Sequence, residues 1–302
     1  MTKKLFGIIP PIVTPFDANG DIDEAALREN VNFVIARGVH GICFGGSTGE
    51  GHTLTTEELD RVAQICVEEA AGRVPVIAGI ITNSTRDAAA KARLMAKYDM
   101  AALQITPVHY VFKPSEEATY DHFKALGEAT DLPIIVYNVV PWNYISPALL
   151  VKMVREIPNL RGVKQSAGDL KLFADLMITA PDDAWIFSAV DALLYPSFAM
   201  GSHGTIAALP AALPGVCVAL WDAVQAGDHT LAHKIHVALL KFWNTISADN
   251  LPANVKYALS LQGVSTGLPR APMPATSAEQ AKLIKAALAE VLSYEARAKS
   301  AA

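Results

Sequence analysis

Short apolar runs recur along the chain, each followed by a stretch whose apolar residues return at helical spacing. The runs cover residues 7–14, 41–47, 74–80, 102–106, 133–139, 160–165, 185–190 and 204–208, eight in all. They are nearly continuous in apolar residues instead of alternating, which is the pattern of parallel strands covered on both faces. Helix starts fall between them. Thr55 and Glu58 are spaced as a capping box, Ser146 precedes a proline at a first helical position, and Ser277 stands three before Gln280. Eight strand–helix units predict an α/β protein, a (β/α)8 TIM barrel. A doubly wound open sheet competes, but it would not readily use eight similar units without a domain break.

After the eighth run the pattern changes. Residues 215–226, 229–247, 252–262 and 278–296 read as helices with no strand between them. The first completes the barrel, so residues 1–226 are expected to form the (β/α)8 barrel carrying the active site and 227–302 a C-terminal helical extension. Residues 269–274 are the one loose, proline-rich segment. The apolar stretch near the N-terminus is broken by Pro10 and Pro11 and does not read as a signal peptide. Residues 192–221 carry no Asp, Glu, Lys or Arg, yet Pro196, Pro210 and Pro214 divide them into pieces too short to span a bilayer.

Composition narrows the class. Of 302 residues, 51% are hydrophobic and 18% charged, which excludes a disordered chain and suggests surface buried against other subunits. The net charge is −5 and no Lys/Arg cluster stands out, so no nucleic-acid footprint is present. Cys43, Cys66 and Cys217 lack CxxC spacing and sit in apolar surroundings. They fit a reduced, cytoplasmic protein, not a disulfide scaffold or zinc module.

Barrel active sites lie at the C-terminal ends of the strands. The sixth run places Lys164 inside an apolar strand. Such a lysine either snorkels to water or serves as a desolvated amine that attacks carbonyls. The fifth run ends in Tyr137-Asn138, where Tyr137 is either a proton shuttle or a packing aromatic. The second ends in Gly45-Gly46-Ser47-Thr48-Gly49-Glu50-Gly51, an ordinary βα turn or a nest of N–H groups and hydroxyls for an anion. It has neither the P-loop lysine nor the GxGxxG spacing. Ile206 in the eighth run joins the substrate-facing candidates. His229, His233 and His236 share a helical face and read as solvated, not metal-binding. His109-Tyr110 after the fourth run either reaches the barrel mouth or decorates a loop.

Together, Gly46-Ser47-Thr48-Gly49-Glu50, Tyr137-Asn138 and Gly162-Val163-Lys164-Gln165-Ser166 resemble the dihydrodipicolinate synthase/N-acetylneuraminate lyase family, over the whole chain. The resemblance implies a barrel with a C-terminal helical extension, a homotetramer, and class I aldolase chemistry on pyruvate or another 2-oxo acid without metal or organic cofactor. It implies that Lys164 forms the Schiff base, that Tyr137 and Tyr110 relay protons, and that Ser47 and Thr48 hold the substrate carboxylate.

Departures bear on the aldehyde partner. The synthase branch has an arginine shortly after Tyr-Asn that binds the partner's carboxylate. Here residues 139–144 read Val-Val-Pro-Trp-Asn-Tyr and the next arginine is Arg155. Lys164-Gln165-Ser166 is closer to the lyase branch, which makes Ser166 a contact for the distal part of the substrate. Ser188-Ala189-Val190-Asp191 stands where sialic-acid lyases have a glycine-rich, sugar-binding stretch. Trp142 and Tyr144 favour a less polar or aromatic acceptor. The expectation is a Schiff-base-forming lyase that is neither the lysine-pathway synthase nor a standard sialic-acid lyase. The alternatives are a 2-oxo-acid dehydratase or deaminase using the same imine, and a non-catalytic 2-oxo-acid-binding regulatory protein.

Overall fold

The computed structural model describes residues 5–301, with side chains for 5–295. Strands β1 (Gly7–Ile8), β2 (Ile42–Phe44), β3 (Val76–Ile80), β4 (Ala102–Ile105), β5 (Ile134–Asn138), β6 (Leu160–Gln165), β7 (Trp185–Ser188) and β8 (Gly204–Thr205) alternate with helices. These are α1 (Glu24–Ile35), α2 (Thr56–Ala70), α3 (Thr85–Met95), α4 (Glu116–Ala129), α5 (Pro147–Glu156), α6 (Leu170–Thr179) and α7 (Leu194–Ala199). A short α8 (Ala208–Ala212) and then α9 (Pro214–Gln225), α10 (His229–Ile246), α11 (Leu251–Ser260) and α12 (Ala278–Ala301) follow β8.

All strand pairs are parallel, in the order β1-β8-β7-β6-β5-β4-β3-β2. A parallel bridge from Pro11 to Cys43 joins the segment after β1 to β2 and closes the (β/α)8 barrel. Two strands are shorter than their apolar runs. Pro10 and Pro11 have no N–H to give a ladder, which stops β1 after Ile8. The eighth run stops at Thr205 because Ala208 already opens α8.

The helix starts follow the local chemistry. Thr55 and Glu58 make the reciprocal capping box of α2. Ser146 accepts from Leu149 N–H ahead of Pro147, and Ser277 and Gln280 bond reciprocally at the start of α12. Helix α10 packs on α9 and α12, and α12 on α9 and α11. Among the described residues no helix is long and apolar enough to cross a membrane.

The apolar core has two parts. One fills the space between strands and helices, and the other, including Cys43, Ile77, Ile135, Phe187 and Ile206, fills the barrel interior. Because strand side chains alternate, the residue two beyond Ile135 faces the interior as well. That residue is Tyr137, and its register partner on β6 is Lys164, which in turn pairs with Phe187 on β7. Strand geometry alone therefore lifts Tyr137 and Lys164 above the apolar plug and aims them at the barrel mouth.

Candidate active site

A cavity of about 490 Å³ opens at the C-terminal ends of the strands, and its lining includes Lys164, Tyr137, Ser47, Thr48, Ser166 and Ile206. Lys164 is 2% exposed. Its Nζ lies over the face of the Tyr137 ring, 3.5 Å from the centroid. Among the described residues it has no hydrogen-bond or ion-pair partner, and neither has the Tyr137 hydroxyl. The ring face and the charge of the Asp191 carboxyl act on it without a bonded partner.

The turn after β2 is shaped by close backbone approaches. Gly45 has φ +66°, and a Cβ there would come within 2.9 Å of the Gly79 carbonyl oxygen. Glu50 also adopts the left-handed region, with φ +54°. Glu50 N–H donates to Ser47 O at 3.1 Å and Gly51 N–H to Gly46 O at 3.0 Å, which closes the turn around Ser47 and Thr48. The Ser47 and Thr48 N–H groups have no backbone acceptor among the described residues, so the turn keeps donors free for an anion.

The loops after β5 and β6 are tied together. The Asn138 side-chain amide exchanges hydrogen bonds with the Ile145 backbone, spanning residues 139–144. Gln165 Oε1 accepts from Asn138 Nδ2 and from the N–H groups of Ser166 and Ala167. The Tyr144 hydroxyl donates to Ser166 O at 3.3 Å.

Two candidates stand apart from this cavity. Trp142, 57% exposed, lines an adjoining compartment of about 280 Å³ that shares Ser47, His52 and Val139 with the first. Tyr110 lines neither space. It is 64% exposed, donates its N–H to Asn83 and accepts a long bond from Trp142 Nε1 at 3.4 Å. Arg155 donates to Thr179 O at 3.2 Å and also lines neither space, and no other arginine does.

Asp191, just after β7, is a cavity residue to which the sequence reading gave no role. Burial pushes its carboxyl up to about 7, against the opposing pull of the Leu209 N–H and of Lys164. Its Oδ1 accepts from Leu209 N–H at 2.5 Å, tying β7 to α8. The available signal was a lone acid at the end of an apolar strand run. His52, which lines both spaces, was missed as well; it follows the Ser-Thr turn closely in sequence.

The remaining candidates fall elsewhere. His229, His233 and His236 gather around the Tyr195 ring, and the Tyr195 hydroxyl meets His229 Nδ1 at 3.2 Å. Among the described residues no cluster of three or more His, Cys, Asp or Glu could hold a metal ion. The three cysteines are free and buried, and burial pushes the Cys43 thiol up to about 12, away from reactivity.

The fold and sequence have close parallels. The model of the Dihydrodipicolinate synthetase family matches residues 4–291. The 4-hydroxy-tetrahydrodipicolinate synthase of Bradyrhizobium diazoefficiens is 38% identical over 272 residues, 89% of this chain and 91% of that protein. A dihydrodipicolinate synthase structure from Bacillus anthracis superposes with a TM-score of 0.90 at 31% identity, covering 95% of this chain and 98% of that one. The chloride-inhibited dihydrodipicolinate synthase of Acinetobacter baumannii, solved with pyruvate, gives 0.90 at 28% identity over 95% and 99% of the two chains. The chain belongs to the dihydrodipicolinate synthetase family. It is a carbon–carbon lyase of the aldolase type.

Proposed function

We propose that the chain is a Schiff-base-forming lyase acting on pyruvate or a related 2-oxo acid, in aldol cleavage or condensation. The observation that carries this reading is Lys164, a buried amine with no ion-pair partner among the described residues, facing a cavity that Tyr137 and the Ser47–Thr48 turn also line. In this reading the turn holds the carboxylate and the Lys164 amine attacks the C2 ketone. The carbinolamine loses water to a protonated imine, which accepts the electron pair of the breaking C3–C4 bond as an enamine. The C4 hydroxyl gives up its proton as the aldehyde departs, the enamine takes a proton at C3 to become the imine again, and hydrolysis of that imine frees the amine. Tyr137 carries protons between the carbinolamine and the leaving group. The imine is built from the protein's own amine, so the scheme calls for no metal or organic cofactor.

For the aldehyde we infer an uncharged, apolar or aromatic body. The side compartment is walled by Ile81, Val139, Val140, Pro141 and Trp142, its polar groups are Ser47, His52, Thr106 and His109, and among the described residues no lysine or arginine lines it. A carboxylate entering there would find histidines and hydroxyls but no fixed cation, and burial lowers the pKa of the His109 imidazole, so the compartment favours an uncharged group. Ser166, which lines the main cavity and not this compartment, is a further contact for the substrate there. We also propose a homotetramer, which would cover the exposed Tyr110, Val111 and Phe112.

The named relatives favour a second reading, 4-hydroxy-tetrahydrodipicolinate synthase itself. Its acceptor, aspartate semialdehyde, carries the carboxylate that the lining disfavours. Pyruvate condensation with aspartate semialdehyde beside a benzaldehyde-type acceptor separates the two. The first reading expects the aromatic aldehyde to react better. A kcat/KM above about 10⁴ M⁻¹s⁻¹ with the semialdehyde would establish the second.

A further inference from the structure

A second buried lysine stands behind the Ser47–Thr48 turn. Lys256 on α11 is 1% exposed, and its Nζ lies 2.7 Å from Glu50 Oε1, whose side chain is fully buried. Lys256 Nζ also donates to Leu268 O at 2.9 Å. The other carboxylate oxygen of Glu50 accepts the Arg270 N–H at 2.8 Å. Phe16 lies under both cations, with Lys256 Nζ at 4.5 Å and the Arg270 guanidinium at 4.2 Å from its ring centroid. Arg270 itself binds Glu58, Gly20 O and Thr53 O. Three distant stretches of chain thus meet directly behind the turn.

Glu50 is also the residue whose left-handed backbone and N–H close that turn. A residue with a side chain is uncommon there, and a buried glutamate is held there by what surrounds it. Both carboxylate oxygens are held by donors on the C-terminal side of the chain. Relaxing the Glu50 backbone to an ordinary conformation would swing the carboxylate away from both. A buried ion pair is a poor way to gain stability, since well-packed apolar residues commonly serve as well. What it adds here is direction. We infer that the Glu50–Lys256 pair is a positioning device that sets the Ser47–Thr48 turn for the substrate carboxylate, so that the C-terminal helices govern 2-oxo-acid affinity.

This inference rests on the proposed imine chemistry, and its test uses pyruvate trapping by borohydride at Lys164, which needs no knowledge of the aldehyde. Glu50→Gln keeps the shape and removes the charge. The pyruvate concentration for half-maximal trapping should rise at least tenfold, while trapping at saturating pyruvate stays within about threefold of the unsubstituted protein. The double variant Glu50→Met/Lys256→Met should regain thermal stability relative to Glu50→Gln without regaining pyruvate affinity. Unchanged half-saturation in folded Glu50→Gln, or affinity that recovers together with stability in the double variant, would overturn the inference. If Glu50→Gln does not fold, Lys256→Arg decides: it keeps the charge but moves it, and should still raise half-saturation severalfold. Failure of the unsubstituted protein to trap pyruvate would instead overturn the reading beneath it.

Discussion

Two lysines in this barrel are almost equally hidden, Lys164 at 2% and Lys256 at 1% exposure, yet their surroundings are opposites. Lys256 has a carboxylate at 2.7 Å and a carbonyl at 2.9 Å, so its charge is neutralised and its donors are used. Lys164 has the face of a tyrosine ring and an open cavity. Burial alone therefore says little about reactivity. An amine bonded to a carboxylate and a carbonyl has its directions taken up, whereas an amine beside a cavity is open to an entering carbonyl. The same contrast separates the turn and the cavity it serves. The polar groups behind the turn satisfy one another, whereas the Lys164 amine, the Tyr137 hydroxyl and the Ser47 and Thr48 N–H groups at the cavity have no hydrogen-bond partner among the described residues.

Substitutions should part the two lysines. Lys164→Ala should lower turnover by about 10⁴-fold or more, the scale seen when a nucleophile is removed, without lowering the melting temperature; steady-state kinetics and a thermal melt check both halves. Lys256→Met should instead lower the melting temperature and weaken pyruvate binding, while turnover at saturating substrate falls by about threefold at most. It strands Glu50 in the core, which costs about 3–5 kcal/mol of stability, readable by urea denaturation. A loss below about 1 kcal/mol, the level of an exposed ion pair, would mean that the pair is not what holds the region. Tyr137→Phe keeps the ring under Lys164 Nζ and removes only the hydroxyl. Turnover should fall about 10²-fold with the fold intact, and near-normal turnover would reduce Tyr137 to a packing residue.

Asp191 can be tested through pH. Its folded carboxyl is raised from the ordinary 3.8 to about 7, mainly by burial. The folded state therefore keeps a proton that the unfolded chain has already released. The resulting stabilisation is complete below the unfolded value and is lost as the pH rises through the folded one. Asp191→Asn retains an acceptor for Leu209 N–H and abolishes the titration. Relative to the variant, the unsubstituted protein should lose stability as the pH rises from about 4 to 7. Parallel denaturation curves across that range would contradict the assignment of the raised carboxyl.

Much of this was legible from local pattern. The eight apolar runs mark the eight strands because parallel strands bury both faces, and the capping residues mark where α2, α5 and α12 begin. Lys164, Tyr137, Ser47, Thr48, Ser166 and Ile206 meet in one cavity because each sits at or just beyond the C-terminal end of a strand. What stayed hidden depends on closure of the barrel. Glu50 and Lys256 are 206 positions apart and meet only when α11 returns over the mouth. Asp191 reads as an unremarkable acid until α8 folds against it. Trp142 lines the compartment beside the mouth and Tyr110 lines neither space, a difference that strand register cannot show because it says nothing about how long loops turn beyond a strand. The short β1 and β8 reflect missing N–H groups and an early helix, which apolar runs cannot show.

Incubation with pyruvate and borohydride, followed by peptide mass spectrometry, tests the central contrast most directly. The account predicts a reduced pyruvyl group on Lys164, none on Lys256, and loss of labelling in Lys164→Ala. Label on Lys256 or another lysine, or labelling that persists unchanged in Lys164→Ala, would contradict it.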